Sequence, residues 1–204
     1  RSRCRRRNVR LQGRNYCSMK NKLFVLSAAS GVGKTTLKDI VLKDFPDIKF
    51  SVSATSRPPR EGEIEGIHYF FKTKEEFEKL IREDKLIEWN IVHGNYYGTP
   101  KSFVENTLAQ GNRVIFVLDV FGKVNFDKVY PESTGIFIMP PDEETLEKRL
   151  RNRGTESEEI IQVRLANAKK EIEFAKNYGK YEYTIINDDL DRAANELRSI
   201  LKKD

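Results

Sequence analysis

The sequence predicts an α/β protein in which a parallel sheet is covered by helices on both faces. Short apolar runs alternate with helical patterns over most of the 204 residues, as expected for strands joined by crossover helices. Residues 53–100 interrupt this alternation with closely spaced strands and are predicted to form an inserted α+β subdomain. The run 27–35 ends in Gly-Lys-Thr and follows the apolar residues 23–26 of a strand predicted at 23–28, an order typical of a phosphate-binding loop.

The elements follow from hydrophobic periodicity and from the residues that interrupt it. The first helix is predicted at 34–45, where Phe45-Pro46 ends it, and Asp142 is predicted to cap a later helix after Pro140-Pro141. A turn is predicted at 93–99 because it contains two glycines and an asparagine. The other predicted strands are 50–54, 69–71, 86–92, 113–118, 135–139 and 183–187. The other predicted helices are 74–83, 101–110, 142–151, 157–177 and 190–202.

Composition indicates one globular domain with 38% hydrophobic and 33% charged residues, and no run reaches the ~18 apolar residues of a membrane helix. The net charge of +6 comes from residues 1–19, which hold seven Arg and no Asp or Glu. We therefore expect neither a nucleic-acid nor a membrane partner, and both a monomer and a homodimer remain open. Both cysteines also lie in residues 1–19, so the folded part is expected to lack disulfides, as in a cytoplasmic protein. This extension is expected to be disordered and dispensable, and organelle targeting is the alternative.

The loop carries the residue types that a nucleotide's phosphates require. Its backbone N–H groups and the following helix N-terminus favour an anion. Lys34 would reach the β- and γ-phosphates, and the Thr35 hydroxyl would hold a Mg²⁺ ion. An ordinary turn with a helix-capping threonine is the alternative, since Ala28 replaces the usual first glycine. The predicted nucleotide-binding residues are Ala28, Ala29, Ser30, Gly31, Val32, Gly33, Lys34, Thr35 and Thr36.

Two arginines on a proline-stiffened loop suit a second phosphate. Arg57 and Arg60 are separated by two prolines, and each guanidinium offers a bidentate fork. Tyr69 and Tyr97 would add hydroxyl donors to the same anion. The alternative is that the arginines are solvated and the tyrosines pack in the core or at a sheet edge.

Further arginines lie near a predicted joint between two helices, namely Arg149, Arg151, Arg153 and Arg164. Arginines on a hinged segment would neutralise the charge of a phosphoryl group in the transition state. Helix-surface ion pairs with neighbouring glutamates are the alternative.

Two carboxylates lie on a predicted strand or directly after one. Glu88 is flanked by apolar residues, and Asp119 follows the strand 113–118. A carboxylate at a strand's carboxyl end beside a phosphate loop is placed to order the water shell of Mg²⁺ or to orient an acceptor. Glu88 is expected either to face outward or to read the edge of a base.

Five segments together resemble the guanylate kinase family, of bacterial type, among the P-loop nucleoside monophosphate kinases. They are SVSATSRPPREGE (51–63), GIHYFF (66–71), GNYYGT (94–99), RLRNRG (149–154) and INDD (186–189). They occur in the family's order and spacing from about residue 22 to the C-terminus. The resemblance implies a P-loop NTPase-type sheet with a core at about 20–52 and 101–204, a GMP-binding subdomain at about 53–100 and a helical lid at about 152–164, after the extension 1–19.

The resemblance implies transfer of the γ-phosphoryl group of ATP to GMP, which gives ADP and GDP with Mg²⁺ as cofactor. It implies that Asn187 contacts the adenine of ATP, and that Thr35 and, through water, Asp119 serve the metal. The implied catalytic residues are Lys34, Arg149, Arg153 and Arg164. The implied GMP-binding residues are Ser53, Arg57, Arg60, Glu63, Tyr69, Glu88, Tyr97, Thr99 and Asp119.

The sequence departs from the family pattern at the strand end that carries Asp119. Val117 and Phe121 replace the usual aspartate and glutamine, which puts the metal assignment of Asp119 in doubt, and Thr99 replaces the commoner serine. One alternative is a noncatalytic guanylate-kinase-like module that binds phosphopeptides, and the intact Lys34 argues against it. A kinase for another nucleoside monophosphate would need a different set of base-reading residues.

Overall fold

The structure, a computed structural model, describes residues 21–29, 31–92, 94–152 and 157–203. The predicted extension 1–19, Ser30 and Arg153 lie outside these residues, as does part of the predicted lid. Among the helices in the described ranges, none combines the length and the apolar character that a membrane crossing requires.

The strands and helices are numbered in chain order. The strands are β1 (Leu23–Ala28), β2 (Ile48–Phe50), β3 (Ala54–Thr55), β4 (Phe70–Phe71), β5 (Leu86–Val92), β6 (Asn95–Pro100), β7 (Arg113–Leu118), β8 (Thr134–Met139) and β9 (Tyr183–Ile186). The helices are α1 (Lys34–Leu42), α2 (Lys74–Arg82), α3 (Lys101–Ala109), α4 (Val120–Val129), α5 (Glu143–Arg151), α6 (Glu158–Tyr178) and α7 (Leu190–Leu201).

The larger sheet has five parallel strands in the order β2-β7-β1-β8-β9. β1 lies at its centre, and every residue of β1 is buried because helices cover both faces. Phe24 and Leu26 face a core shared with α1, α5, α6 and α7, whereas Leu23 and Val25 face a core shared with α3 and α4. Because side chains alternate along a strand, β1 contributes residues to both cores. The phosphate loop follows directly after β1.

The smaller sheet has four strands in the order β4-β3-β6-β5 and packs against α2. Thr73 and Glu76 form a capping box at the start of α2, in which each side chain accepts a hydrogen bond from the other residue's backbone N–H. Phe77 of this helix is fully buried and stacks on Tyr96 of β6 at 5.2 Å between ring centroids. The small core of this sheet is therefore separate from the cores of the larger one.

The predicted fold class is confirmed, and the differences are local. The strand predicted at 50–54 is wrong, because the chain there leaves β2 in the larger sheet and enters β3 in the smaller one. The turn predicted at 93–99 is also wrong, since 95–100 form β6, which pairs with both β5 and β3. The first helix ends at Leu42 rather than at 45. α4 was not predicted, because buried Lys123 and Asp127 interrupt its apolar pattern.

Candidate active site

The phosphate loop joins the carboxyl end of β1 to α1 in a conformation that requires glycine. Gly31 and Gly33 have φ values of 88° and 101°, which side chains rarely adopt. A Cβ atom at Gly31 would lie 2.7 Å from Leu150 Cδ2, so the loop packs closely on α5. Gly33 is also the N-cap of α1 and adds no side-chain cap, which leaves the first N–H groups of this helix available to a ligand.

Two side chains hold this loop in place. The ammonium group of Lys34 donates a 2.6 Å hydrogen bond to the backbone oxygen of Ala28. The buried Asn187, which follows β9, donates from Nδ2 to the backbone oxygen of Val32 at 2.7 Å. Burial lowers the pKa of Lys34, and the charges of Glu171 and Asp119 oppose this effect. These two hydrogen bonds therefore tie Ala28 and Val32 of the loop to the start of α1 and to the end of β9.

Glu88 is turned into the protein by an irregularity in β5. Regular strands alternate their faces, but Leu86, Ile87 and Glu88 are all buried because the register with β6 shifts between Leu86 and Trp89. The close approach of β6 at this point depends on Gly98, where a Cβ atom would lie 2.8 Å from the backbone oxygen of Glu88.

The residue Glu88 is buried, with 7% of its surface exposed, and its carboxyl group accepts a hydrogen bond from the neighbouring strand. Thr99 Oγ1 donates to Glu88 Oε1 at 2.6 Å. Burial raises the pKa of Glu88 to about 7, the hydrogen bond from Thr99 opposes this, and the charge of Asp119 adds to it. Asp119 caps α4, since its Oδ1 accepts a 2.7 Å hydrogen bond from Gly122 N. Glu88 and Asp119 therefore form an acidic pair on one wall of the site.

The proline-stiffened loop holds Arg57 in a network of contacts. Its two terminal nitrogens donate to the two carboxylate oxygens of Glu63 at 2.9 and 2.8 Å, and its Nε donates to the Tyr97 hydroxyl at 3.3 Å. These hydrogen bonds raise the pKa of Arg57, and those from Arg57 lower the pKa of Glu63. The guanidinium also lies 5.5 Å from the Tyr69 ring centroid. Arg60 donates its backbone N–H to Glu63 and leaves its side chain in solvent.

A cavity of about 260 Å³ lies between the phosphate loop and the smaller sheet. It brings together seven of the predicted site residues, which are Lys34, Thr35, Ser53, Tyr69, Glu88, Tyr97 and Asp119. A second cavity of about 330 Å³ adjoins it, shares Thr35, Ser53, Tyr69 and Val117 with it, and reaches Glu63. Eight of the predicted residues therefore line these two adjoining cavities, whereas Arg57, Arg60, Thr99 and Asn187 do not line either of them.

Two of the predicted lid arginines, Arg149 and Arg164, lie outside these two cavities. Arg149 on α5 donates to the backbone oxygen of Asp188 at 3.4 Å, and its other terminal nitrogen is buried with no hydrogen-bond partner among the described residues. Arg164 is half-buried on α6. Arg151 pairs with Glu147 and Glu158, so the helix-surface alternative is correct for that residue.

Several residues that line the first cavity were not predicted from the sequence, among them Asn90, Val92 and Gly122. Residues 88, 90 and 92 of β5 lie on one face of the strand, so this periodicity could have predicted Asn90 and Val92 as neighbours of Glu88 in the site. The described residues contain no group of three or more His, Cys, Asp or Glu side chains that could hold a metal ion.

A glycine-rich loop between a central parallel strand and a helix, facing a buried carboxylate across a cavity, defines a P-loop nucleotide-binding protein with a second ligand site. The guanylate kinase family model matches residues 20–204. The chain is 48% identical over 180 residues to a guanylate kinase of Fusobacterium nucleatum, and the match covers 88% of this chain and 95% of the relative. It is 44% identical over 179 residues to one of Desulfitobacterium hafniense, with 88% of each chain covered.

A solved structure, guanylate kinase from Anaplasma phagocytophilum, has a TM-score of 0.71 and 32% identity, and the match covers 90% of this chain and 86% of that one. The chain therefore belongs to the guanylate kinase family and is an enzyme of this kind.

Proposed function

We propose that the protein transfers the γ-phosphoryl group of ATP to GMP, giving ADP and GDP, and that the two nucleotides meet in the cavity between the phosphate loop and the smaller sheet. The observation that carries this proposal is the placement of Lys34 and Glu88 on the walls of one cavity. A lysine for phosphates and a buried carboxylate for a base thereby face the same space.

Glu88 would select guanine. A carboxylate accepts hydrogen bonds from the ring N–H and the exocyclic amine of guanine together, whereas adenine lacks this pair of donors. The hydrogen bond from Thr99 to Oε1 fixes the orientation of the carboxylate, and Ser53 lines the same cavity as a further contact to the base. Because Glu88 is buried, a base that left it unpaired would incur the full desolvation penalty of a charged group.

Arg57, Arg60, Tyr69 and Tyr97 would bind the phosphate of GMP. Tyr69 and Tyr97 line the cavity, and Arg57 contacts both of them. Glu63 would orient Arg57 instead of contacting GMP, because Arg57 and the Arg60 backbone N–H already occupy its carboxylate oxygens.

The phosphate loop, its backbone N–H groups and Lys34 would bind the phosphates of ATP. The Nδ2 atom of Asn187 is used by the loop, which leaves Oδ1 to accept a hydrogen bond from the adenine amine. One terminal nitrogen of Arg149 has no hydrogen-bond partner among the described residues and would donate to the transferring group, and Arg164 would approach with Arg153. Positioning and charge neutralisation supply the catalysis, without a covalent intermediate.

Magnesium fits the residues present in one way. Thr35, Val117 and Asp119 line the cavity, and the side chain of Val117 has no oxygen atom to offer the ion. The ion would therefore keep most of its water ligands and would be held mainly by the phosphates of the substrates. When bound, Mg²⁺ neutralises charge on the phosphate oxygens. Thr35 would provide a direct oxygen, and Asp119 would accept hydrogen bonds from the water of the ion.

We further propose that residues 53–100 and the lid at about 152–164 close on the core when both nucleotides bind. The smaller sheet has a core of its own, which would let it move largely as a unit, with Ile87 of β5 as its contact with the core of β1, α3 and α4. Closure would exclude water from the phosphoryl group and bring Arg153 and Arg164 to it.

The test is a coupled assay of ADP formation from ATP and Mg²⁺ with GMP, AMP, CMP or UMP as acceptor. Activity restricted to GMP supports the proposal, and no activity with any acceptor in folded protein overturns it. Glu88→Gln should lower kcat/KM for GMP roughly hundredfold, because it replaces a charged acceptor with an amide. Glu61→Gln, an exposed residue of the same subdomain, is the matched control. Unchanged selectivity for GMP over AMP in Glu88→Gln would contradict the role given to Glu88.

A further inference from the structure

Lys38 is a lysine at the proposed reaction site to which no role has yet been assigned. It lies four residues after Lys34, so both side chains lie on the same face of α1. It lines the second cavity together with Thr35, Ser53 and Val117, residues that also line the first cavity. The ammonium group of Lys38 therefore lies beside the space in which donor and acceptor phosphates would meet.

Within the described part of the chain, the contacts of Lys38 hold its ammonium group without using all of its donors. The group lies 3.9 Å from the centroid of the Phe50 ring, another wall of the second cavity. It pairs with Asp39 Oδ1 at 2.6 Å, but the Asp39 side chain is 57% exposed whereas that of Lys38 is only 11% exposed. A lysine ammonium has three donors, and this ion pair occupies one. The cation is largely shielded from water, while its carboxylate partner is mostly solvated.

The charges around the two cavities make a further cation useful. Glu63 and Asp39 line the second cavity with Lys38, and Glu88 and Asp119 line the first with Lys34. Phosphates that enter this space meet several carboxylates, and Glu63 partly balances the charge of Arg57. The side chain of Val117 between the cavities carries no charge that would compete with a phosphate for Lys38.

We propose that Lys38 is a phosphate-binding residue of this site. It contacts the anion from α1, whereas Arg57 and Arg60 contact it from the smaller sheet. This inference rests on the proposed function, since it requires phosphates in the cavity. A phosphate oxygen would accept a hydrogen bond from one of the two donors that Asp39 leaves open. The phosphate of the acceptor nucleotide and the phosphates of the donor have the same chemistry, and binding measurements separate them.

The experiment compares Lys38→Met with Lys38→Arg and with Lys43→Met. Methionine keeps the aliphatic stem over Phe50 and removes the charge, arginine keeps the charge, and Lys43 is an exposed lysine just after the same helix. Calorimetry measures binding of GMP, guanosine and ATP to each variant. The fluorescence of Trp89, the single tryptophan and the neighbour of Glu88, is a second readout.

Lys38→Met is expected to bind GMP about tenfold more weakly and guanosine unchanged, which is the loss of one charge-assisted hydrogen bond at the weak end of its range. Lys38→Arg should recover most of this loss. A loss confined to ATP would assign Lys38 to the donor phosphates, and the proposal would stand.

The proposal is overturned if GMP and ATP bind to Lys38→Met as they bind to Lys43→Met, or if guanosine is weakened as much as GMP. If Lys38→Met does not fold, Lys38→Gln takes its place with the same expected result. A failure of the proposed function is distinguished from these outcomes by the coupled assay, since the unaltered protein would then not phosphorylate GMP.

Discussion

The titration of Glu88 should control guanine binding near neutral pH. Burial raises its pKa to about 7 from an ordinary value of 4.5. Only the ionised form accepts both hydrogen bonds from guanine. Between pH 8 and pH 6 the ionised fraction of a group with a pKa near 7 falls from about nine-tenths to about one-tenth, so guanine affinity should fall roughly tenfold over this range.

The assay for this prediction is calorimetry with guanosine at pH 6, 7 and 8. Guanosine is used because a phosphate monoester itself titrates near pH ~6 and would add its own pH dependence. Glu88→Gln is the control, and its weaker affinity should be independent of pH. A dissociation constant for guanosine that does not change across this range, or the same slope in Glu88→Gln, would refute the reasoning.

The same carboxyl group should make stability depend on pH. Its pKa is higher in the folded protein than in the unfolded chain, so its contribution is fully present below pH 4.5 and is lost as the pH rises through about 7. The difference between the two pKa values corresponds to roughly 3 kcal/mol of unfolding free energy. Urea unfolding of Glu88→Gln should therefore show a smaller decline in stability between pH 5 and 8 than the unaltered protein.

Three substitutions test other parts of the site and its support. Lys34→Ala should reduce turnover by about 10²-fold or more while GMP binding by calorimetry stays unchanged, and retained turnover would contradict the role of the loop. Gly98→Ala should cost about 1–3 kcal/mol in urea unfolding and weaken GMP binding, because its Cβ atom would lie 2.8 Å from the backbone oxygen of Glu88. Lys123→Met should cost about 3–5 kcal/mol, because it leaves the buried Asp127 carboxylate without its cation and with the Ser133 hydroxyl as its remaining donor, and Lys123→Met/Asp127→Leu should recover most of that loss. Equal stability of the single and double variants would contradict this last expectation.

Features encoded in adjacent residues could be predicted from the sequence. The strand, loop and helix around Gly33 and Lys34 are continuous in the chain, and their chemistry is a property of the local backbone. The strand at 86–92 was predicted with its observed bounds because Gly94 and charged residues delimit an apolar run. The resemblance added residues whose roles the local sequence alone does not define, such as Asn187.

Features that depend on distant pairing could not be predicted. β6 was predicted as a turn because its glycine and asparagine are typical of turns, yet Gly98 is there to let β5 approach. The contact between Asn187 and Val32 joins residues that are far apart in the chain. The pairing of Arg57 with Glu63 depends on a loop conformation that the two prolines stiffen but do not specify.

Phe121 shows how the structure accommodates a residue that departs from the resemblance. Its ring is 41% exposed and lies 4.5 Å from the ring centroid of Phe174 on α6, and it does not line the first cavity. The adjacent Val120 is buried with residues of β8 and α6, so two successive residues fix the start of α4. Asp119 precedes them and caps the same helix, which leaves the polar edge of the cavity intact. The Phe121 side chain therefore packs on α6 and removes no polar group from the cavity. Of the two departures from the family pattern, only Val117 lines the cavity, so the loss of a polar side chain there is due to Val117.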